Sequence, residues 1–246
     1  MIGLISDFDG TLYFGNENPP VRKIDVKKIH EFQKNNSFIL CTGRPYNGIH
    51  DLKKYEIVCD YYVLTSGALI LDKNFEIIYE KSMDVQLVQN LIDETSGFQR
   101  AVQAKDKIYP VDKKIPFPIE QQVIQKADDI PEPAIGLSIC TESEAEAADL
   151  VNRLNSKYNI QALQNENYVD VVPTGCSKGS AVNWIQSQFH FEHVAAIGDS
   201  YNDMDMLEVA DTAFTFEKSP ASVKSKADYL VSGIAQAIDI VLKRPE

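Results

Sequence analysis

Ile2-Gly3-Leu4-Ile5-Ser6-Asp7-Phe8-Asp9-Gly10-Thr11-Leu12 is the stretch on which the reading of this chain turns. A short apolar run stops at two carboxylates. Open α/β sheets bind ligands beyond the carboxyl ends of their strands, so a buried strand with this ending delivers Asp7 and Asp9 to that edge. Two acids this close repel each other unless a cation or a proton intervenes. One of them can act as a nucleophile and the other as a proton donor, with a hard cation beside them. The same letters also spell a strand followed by an acidic turn, because Asp-Gly is a turn dipeptide. The rest of the chain decides between the two.

Outward from this segment, other short apolar runs end in the same abrupt way. Residues 38–41 precede Thr42-Gly43-Arg44, residues 61–64 lead into Thr65-Ser66-Gly67, and residues 194–197 precede Gly198-Asp199-Ser200. Residues 213–216 and 229–231 follow. Short runs rich in branched residues and closed by turn signals suit a parallel sheet. Helical patterns lie between them: residues 24–35 carry Ile29 and Phe32 on one face, and residues 180–189 carry Ala181, Val182, Ile185 and Phe189. Ser219-Pro220 predicts an N-cap followed by proline in the first turn, and Ser232 predicts a cap for the last helix. The alternation of strand and helix predicts an α/β fold with a Rossmann-like, doubly wound parallel sheet.

The middle of the chain follows another pattern. Residues 69–71 and 77–79 flank Asp72-Lys73-Asn74, a hairpin signal. A helix is expected near 85–95, then strands at 100–103 and 107–111. Residues 115–133 hold four prolines and read as irregular, with a short helix at 120–126. A strand at 134–140 leads into Thr141-Glu142-Ser143-Glu144, which opens a helix with capping-box spacing. Residues 160–163 and 168–172 are expected to pair around Asn165-Glu166-Asn167. This reads as an α+β unit inserted into the sheet, with residues 1–80 and 175–246 forming the core domain and 81–174 the insertion.

The chain has 246 residues, 44% of them hydrophobic, enough for a substantial core. Its net charge of -12 argues against a broad nucleic-acid or anionic-membrane surface. A local lysine or metal can still invert the field for a phosphate ligand. Cys41, Cys59, Cys140 and Cys176 form no CxxC pair and read as buried, reduced thiols. The first apolar run is too short for a signal peptide, and no stretch approaches the length of a bilayer span. A soluble, cytoplasmic protein is expected.

Three further segments carry candidate chemistry. The Thr42 hydroxyl, with the backbone N–H groups that follow it, can hold a phosphate oxygen, although Thr-Gly-Arg alone also fits a plain strand-to-turn junction. Lys178 falls at a helix start, where its charge opposes the macrodipole at a cost of some tenths of a kcal/mol. Taken alone it reads as a surface lysine reaching for water; carboxylates and a phosphate nearby reverse that balance. Asp199 comes straight off a strand, and Asp203 lies near the first turn of the next helix, where an acid also caps well. Asp7, Asp9, Asp199 and Asp203 at strand ends together suit magnesium, which prefers hard oxygen ligands and accepts phosphate oxygens.

In type and order, the motifs at 7–13, 41–44, 177–179 and 198–204 resemble those of the haloacid dehalogenase (HAD) superfamily. More narrowly, they look like its Cof-type phosphatases (subclass IIB), whose α/β cap (C2B type) is inserted between the second and third motifs. The resemblance implies a Rossmann-like core with a mobile cap. It implies that Asp7 is the nucleophile that forms an aspartyl-phosphate. Asp9 corresponds to the general acid/base, with its backbone carbonyl on Mg2+. Thr42, with Gly43 beside it, corresponds to the phosphate-binding position, and Lys178 to the lysine that steadies nucleophile and phosphate. Asp199 matches the side-chain metal ligand. Asp203 matches the second acidic position, acting directly or through water, with Asn202 as its neighbour in a supporting place. One departure is visible: Ser66-Gly67-Ala68 stands where the family often has Asn-Gly-Ala.

The substrate implied is a small phosphorylated metabolite, most usually a sugar phosphate, with no nucleic-acid or membrane partner and a monomeric or homodimeric enzyme. Polar candidates on the cap for contacting it are Arg100, Lys105, Lys107 and Gln121, each of which reads equally as an ordinary solvated side chain. Two other readings stand beside this one. A phosphomutase uses the same intermediate, but residues 13–22 are too short for the helical cap that mutases of the superfamily more often carry there. A non-catalytic phosphate-binding regulator is the other, against which all six catalytic positions are intact.

Overall fold

The computed structural model describes residues 1–15, 17–105, 107–116 and 121–243. In chain order the elements are β1 (Ile2–Ser6), α1 (Lys23–Phe32), β2 (Ser37–Cys41), β3 (Tyr61–Leu64), β4 (Leu69–Asp72) and β5 (Ile77–Glu80). Then come α2 (Val85–Glu94), β6 (Gln99–Ala104), β7 (Lys107–Pro110), β8 (Gly136–Cys140), α3 (Glu144–Lys157), β9 (Ile160–Asn165) and β10 (Tyr168–Pro173). The chain closes with α4 (Lys178–Phe189), β11 (His193–Ile197), α5 (Met204–Val209), β12 (Thr212–Thr215), α6 (Ala221–Lys224), β13 (Tyr229–Leu230) and α7 (Ile234–Leu242).

β1 sits inside an eight-stranded sheet of order β13-β12-β11-β1-β2-β3-β4-β5. The pairs from β13 through β3 are parallel, whereas β3–β4 and β4–β5 are antiparallel. Both faces are covered, which is why these strands are apolar throughout rather than alternating. Leu4, Phe38, Leu40 and Ala195 meet Ile29 and Phe32 of α1 and Ile234 and Ile238 of α7. Ile5, Ile39 and Ala196 meet Ala181, Val182 and Ile185 of α4 and Met206 of α5. Each fully buried Leu, Ile or Phe contributes roughly 1.5–3 kcal/mol to this layering. The expected hairpin forms the sheet edge, its turn held by Asp72 Oδ1, which accepts from the N–H groups of Asn74 and Glu76.

The second sheet is antiparallel, of order β7-β6-β8-β10-β9. Its outer face packs Val102, Leu137, Ile139, Val169 and Val171 under Val88 and Leu91 of α2 and Leu150 and Leu154 of α3. Successive side chains of a strand alternate between faces, so Gln103, Ser138 and Asp170 stand on the other side. There Gly136 lies against Thr65 so closely that a Cβ would overlap the Thr65 methyl. That face looks onto the carboxyl edge of the first sheet.

Several local expectations are corrected. Residues 121–126 are not helical, and Glu120 lies outside the described residues. Ile124 instead bridges Val111, and Asp129 accepts from the N–H groups of Gln125 and Lys126, leaving only a single 3₁₀ turn at Ala127–Asp129. Ser143, not Thr141, caps α3, accepting from the Glu146 N–H. Ser232 does not cap α7. Gly233 holds that position, and the Ala235 N–H donates to Asp25 Oδ1 of α1 at 2.7 Å. Ser219 turns to Thr215 Oγ1, and Pro220 takes the cap position of α6. A 3₁₀ segment at Tyr46–Tyr55 has no counterpart in the sequence reading.

Candidate active site

Asp7 follows β1 by one residue, and its N–H continues the parallel ladder by donating to Ile197 O. The Phe8 carbonyl then accepts from the Leu12 and Tyr13 N–H groups, closing the turn. Gly10 is needed twice in it: its φ is +76°, and a Cβ there would overlap the Asp199 carboxylate. After β2, Thr42 accepts the Arg44 N–H on its Oγ1 at 3.1 Å, which leaves the hydroxyl hydrogen available to a ligand.

Lys178 opens α4 behind a capping box made by Ser177 and Ser180. Its side chain is only 1% exposed, contrary to the ordinary reading of a surface lysine. Nζ donates to Asp7 Oδ1 at 2.6 Å and to Asp203 Oδ1 at 2.5 Å. Asp203 Oδ2 accepts from the N–H groups of Asp199 and Ser200, both at 2.9 Å. Asp199 Oδ1 takes the Thr11 hydroxyl at 2.9 Å. Asp7, Asp199 and Asp203 each place a carboxylate oxygen within 4.8 Å of the others. The Asp9 carboxylate is not in that group. It faces Arg44, accepting from Nε at 2.7 Å and from a terminal nitrogen at 2.6 Å, while the guanidinium lies over the Phe8 ring. Asn202 is buried and lines the same cavity.

Burial pushes the Asp7 carboxyl well up, and the charges of Asp203 and Asp199 add to this against the pull of Lys178. Burial likewise raises Asp199, with help from Asp203, to about 6. Lys178 keeps its proton: burial alone would lower it, but Asp203 and Asp7 hold it well above the usual lysine range. One ammonium therefore faces three crowded carboxylates, a donor set that a further cation would complete.

The site opens into a cavity of about 910 Å³ between the two sheets. Thr42, Gly43 and Asp7 lie on the core side, and Gln103, Ser138, Tyr168 and Asp170 on the other. Side-chain hydrogen bonds cross between the two sheets' sides from Thr65 to Gln103, from Ser200 to Asn165 and from Tyr201 to Glu144. None of the four polar cap candidates lines this cavity. Arg100 is buried against the Phe98 carbonyl and Asp112, Lys107 pairs with Glu132, Gln121 binds the Ile115 backbone, and Lys105 stands exposed in a turn. On β6 the cavity takes Ala101 and Gln103, so Arg100 falls on the opposite face by the period of two. The readable signal was a polar residue flanked by apolar ones: Gln103, Ser138 and Asp170 each break such a run.

The sequence model of the haloacid dehalogenase-like hydrolases matches residues 4–238. The chain belongs to that family. It is 24% identical to a phosphoglycolate phosphatase of Sulfurisphaera tokodaii, over 93% of this chain and 86% of that one. It is 23% identical to the 5-amino-6-(5-phospho-D-ribitylamino)uracil phosphatase YcsE of Bacillus subtilis, over 94% of this chain and 92% of that one. Its fold superposes on the HAD subclass IIB sugar phosphatase BT4131 with a TM-score of 0.83 at 20% identity, covering 98% of this chain and 99% of the other. Like these relatives, this HAD hydrolase is a phosphatase, its parallel core sheet capped by an antiparallel one. No described helix is long and apolar enough to cross a membrane.

Proposed function

We propose that this phosphatase hydrolyses a small phosphorylated metabolite, of the sugar phosphate kind, through an aspartyl-phosphate on Asp7 and with magnesium as its metal. The observation that carries the reading is the buried Lys178 ammonium held between Asp7 and Asp203 beside Thr42 and Gly43. Lys178 fixes Asp7 Oδ1, which leaves Oδ2 to attack phosphorus. The Asp7–phosphorus bond forms as the bond to the leaving oxygen breaks. Asp9 gives that oxygen its proton, then takes one from the water that displaces Asp7. For this, the half-exposed Asp9 side chain turns from Arg44 toward the cavity. The Thr42 hydroxyl and the Gly43 N–H hold the phosphate oxygens, and positioning with fixed charge does most of the work.

The donor set fits a divalent metal. Asp203 has both oxygens committed, to Lys178 and to two backbone amides, so it sets the geometry. Asp7 and Asp199, with the Asp9 carbonyl, would hold the ion. When bound, magnesium offsets the charge of phosphate and carboxylates. Residues 81–174 act as a lid over this chemistry and govern the choice of leaving group, a property in which the relatives differ.

The experiment is turnover of acetyl phosphate and a chromogenic phosphate ester. Magnesium supports it, excess chelator stops it, and Asp7→Asn lowers it by about 10⁴-fold or more with the fold retained by circular dichroism. Calcium would support it poorly, because an ion that takes more oxygen ligands would compete for the Asp7 oxygen needed for attack. Full activity in chelator overturns the metal assignment, and a near-normal Asp7→Asn variant overturns the nucleophile.

A further inference from the structure

β6, β8 and β10 line up three polar side chains above the phosphate-binding loop. Thr65 Oγ1 donates to Gln103 Oε1 at 2.8 Å, Gln103 Nε2 donates to Ser138 Oγ at 2.8 Å, and Ser138 Oγ donates to Asp170 Oδ1 at 2.7 Å. Every donor points the same way, so the row ends on an acceptor. Ser138 and Asp170 are direct partners in the β8–β10 register, which fixes the carboxylate in place.

Asp170 is 8% exposed. Its Oδ2 receives no hydrogen bond among the described residues, and a Cβ built on Gly43 would stand 2.8 Å from that oxygen. The same point lies 3.4 Å from Ser66 Oγ, a buried hydroxyl with no hydrogen-bond partner among the described residues. An open acceptor and an unpaired hydroxyl thus converge beside the glycine assigned to the phosphate. A buried polar group left unpaired is unfavourable, so the arrangement calls for a partner from the ligand. The charge on this wall narrows the ligand further. Of the described cap residues on the cavity, Glu166 and Asp170 are acidic, and none is Lys, Arg or His.

We infer that Asp170 selects the leaving group: its Oδ2 accepts a hydrogen bond from a hydroxyl of the ester, and its charge rejects esters with a second anion at that place. The ligand class is therefore a polyhydroxylated monophosphate, and carboxylated phosphates and bisphosphates are disfavoured. Asp170 takes no part in bond breaking. This assignment rests on the phosphatase reading above.

The test measures kcat/KM of the full chain for a hexose 6-phosphate, 2-phosphoglycolate and a hexose bisphosphate, with acetyl phosphate as the probe of the chemistry itself. The wild-type chain prefers the hexose monophosphate. Asp170→Asn keeps the bond from Ser138 but turns a donor toward the ligand, so the ratio of hexose monophosphate to phosphoglycolate falls by roughly tenfold or more. An unaltered ratio in the folded variant overturns the assignment. So does a wild-type preference for phosphoglycolate or the bisphosphate, and that ranking decides the matter even if Asp170→Asn does not fold. Absence of acetyl phosphate turnover by the wild-type chain with magnesium overturns the phosphatase reading and this inference with it. Turnover with the wrong ranking overturns this inference alone.

Discussion

Lys178 is buried between two carboxylates, Asp7 at 2.6 Å and Asp203 at 2.5 Å. Removing one partner of a buried ionic group leaves the others uncompensated, at a cost of about 3–5 kcal/mol. Lys178→Met is therefore expected to lower the melting temperature markedly in chelator, and magnesium is expected to recover part of the loss. Calorimetry with and without the metal checks this; equal melting of variant and wild type in chelator would mean that the ammonium does not hold the site together. At this scale the sequence was informative at the strand ends. Asp7, Thr42 and Asp199 follow apolar runs, and that placement can be read locally. The hold of Arg44 on Asp9 and the place of Asp170 over Gly43 were not readable, because each joins residues on different elements. Arg100 and Lys107 point away from the cavity by the phase of the strands that bear them, and Lys105 and Gln121 lie in irregular segments whose course no periodicity announces.

Helix α7 illustrates how an element's end is settled from a distance. Its first turn is served by Asp25 of α1, 210 residues away from Ala235, rather than by the adjacent serine. No local motif can announce such a partner. The arrangement carries a pH signature. Burial raises the Asp25 carboxyl from its usual range, opposed by the Ala235 N–H, and its Oδ2 has no hydrogen-bond partner among the described residues. A carboxyl raised on folding contributes stability that is fully present below its unfolded pKa. That stability is lost as pH rises through the folded value. Asp25→Asn removes this titration while keeping an oxygen for the amide. The melting temperature of the variant minus that of wild type should thus grow more positive from about pH 4 to about pH 7. A difference that stays flat across that range would show that Asp25 ionises as freely in the fold as outside it. Other elements were legible from pattern alone: α2 because its buried Val88, Leu91 and Ile92 follow the helical repeat, and β1 because it is an unbroken buried run.

At the scale of the whole molecule, two sheets meet through a narrow neck. The antiparallel sheet was visible in the sequence because the middle segment replaces the alternation of strand and helix with a strand pair around Asn165-Glu166-Asn167 and with prolines. The strand order was not, since it depends on pairing across the insertion. The two crossings are tied to each other: Lys81 Nζ donates to Thr174 O at 2.7 Å, next to Gly175 with φ +74°. Lys81→Met cuts this tie on the surface, where such changes usually stay within about 0.5 kcal/mol of neutral. Its melting should hardly move, yet thermolysin should cut the linkers around 81–83 and 173–175 faster than in wild type. Unchanged cleavage would show that the tie does not restrain the hinge.

The place of β1 also sets an order of events during synthesis. One side of it is completed by β2, made soon after it, and the other by β11, residues 193–197. A ribosome therefore releases the whole antiparallel sheet, with its hairpin contacts, while one flank of β1 still waits for its neighbour. Lys178, Asp199 and Asp203 arrive in that same late portion. A product truncated near residue 174 would therefore carry Asp7 without the ammonium that holds it and without the two acids that crowd it.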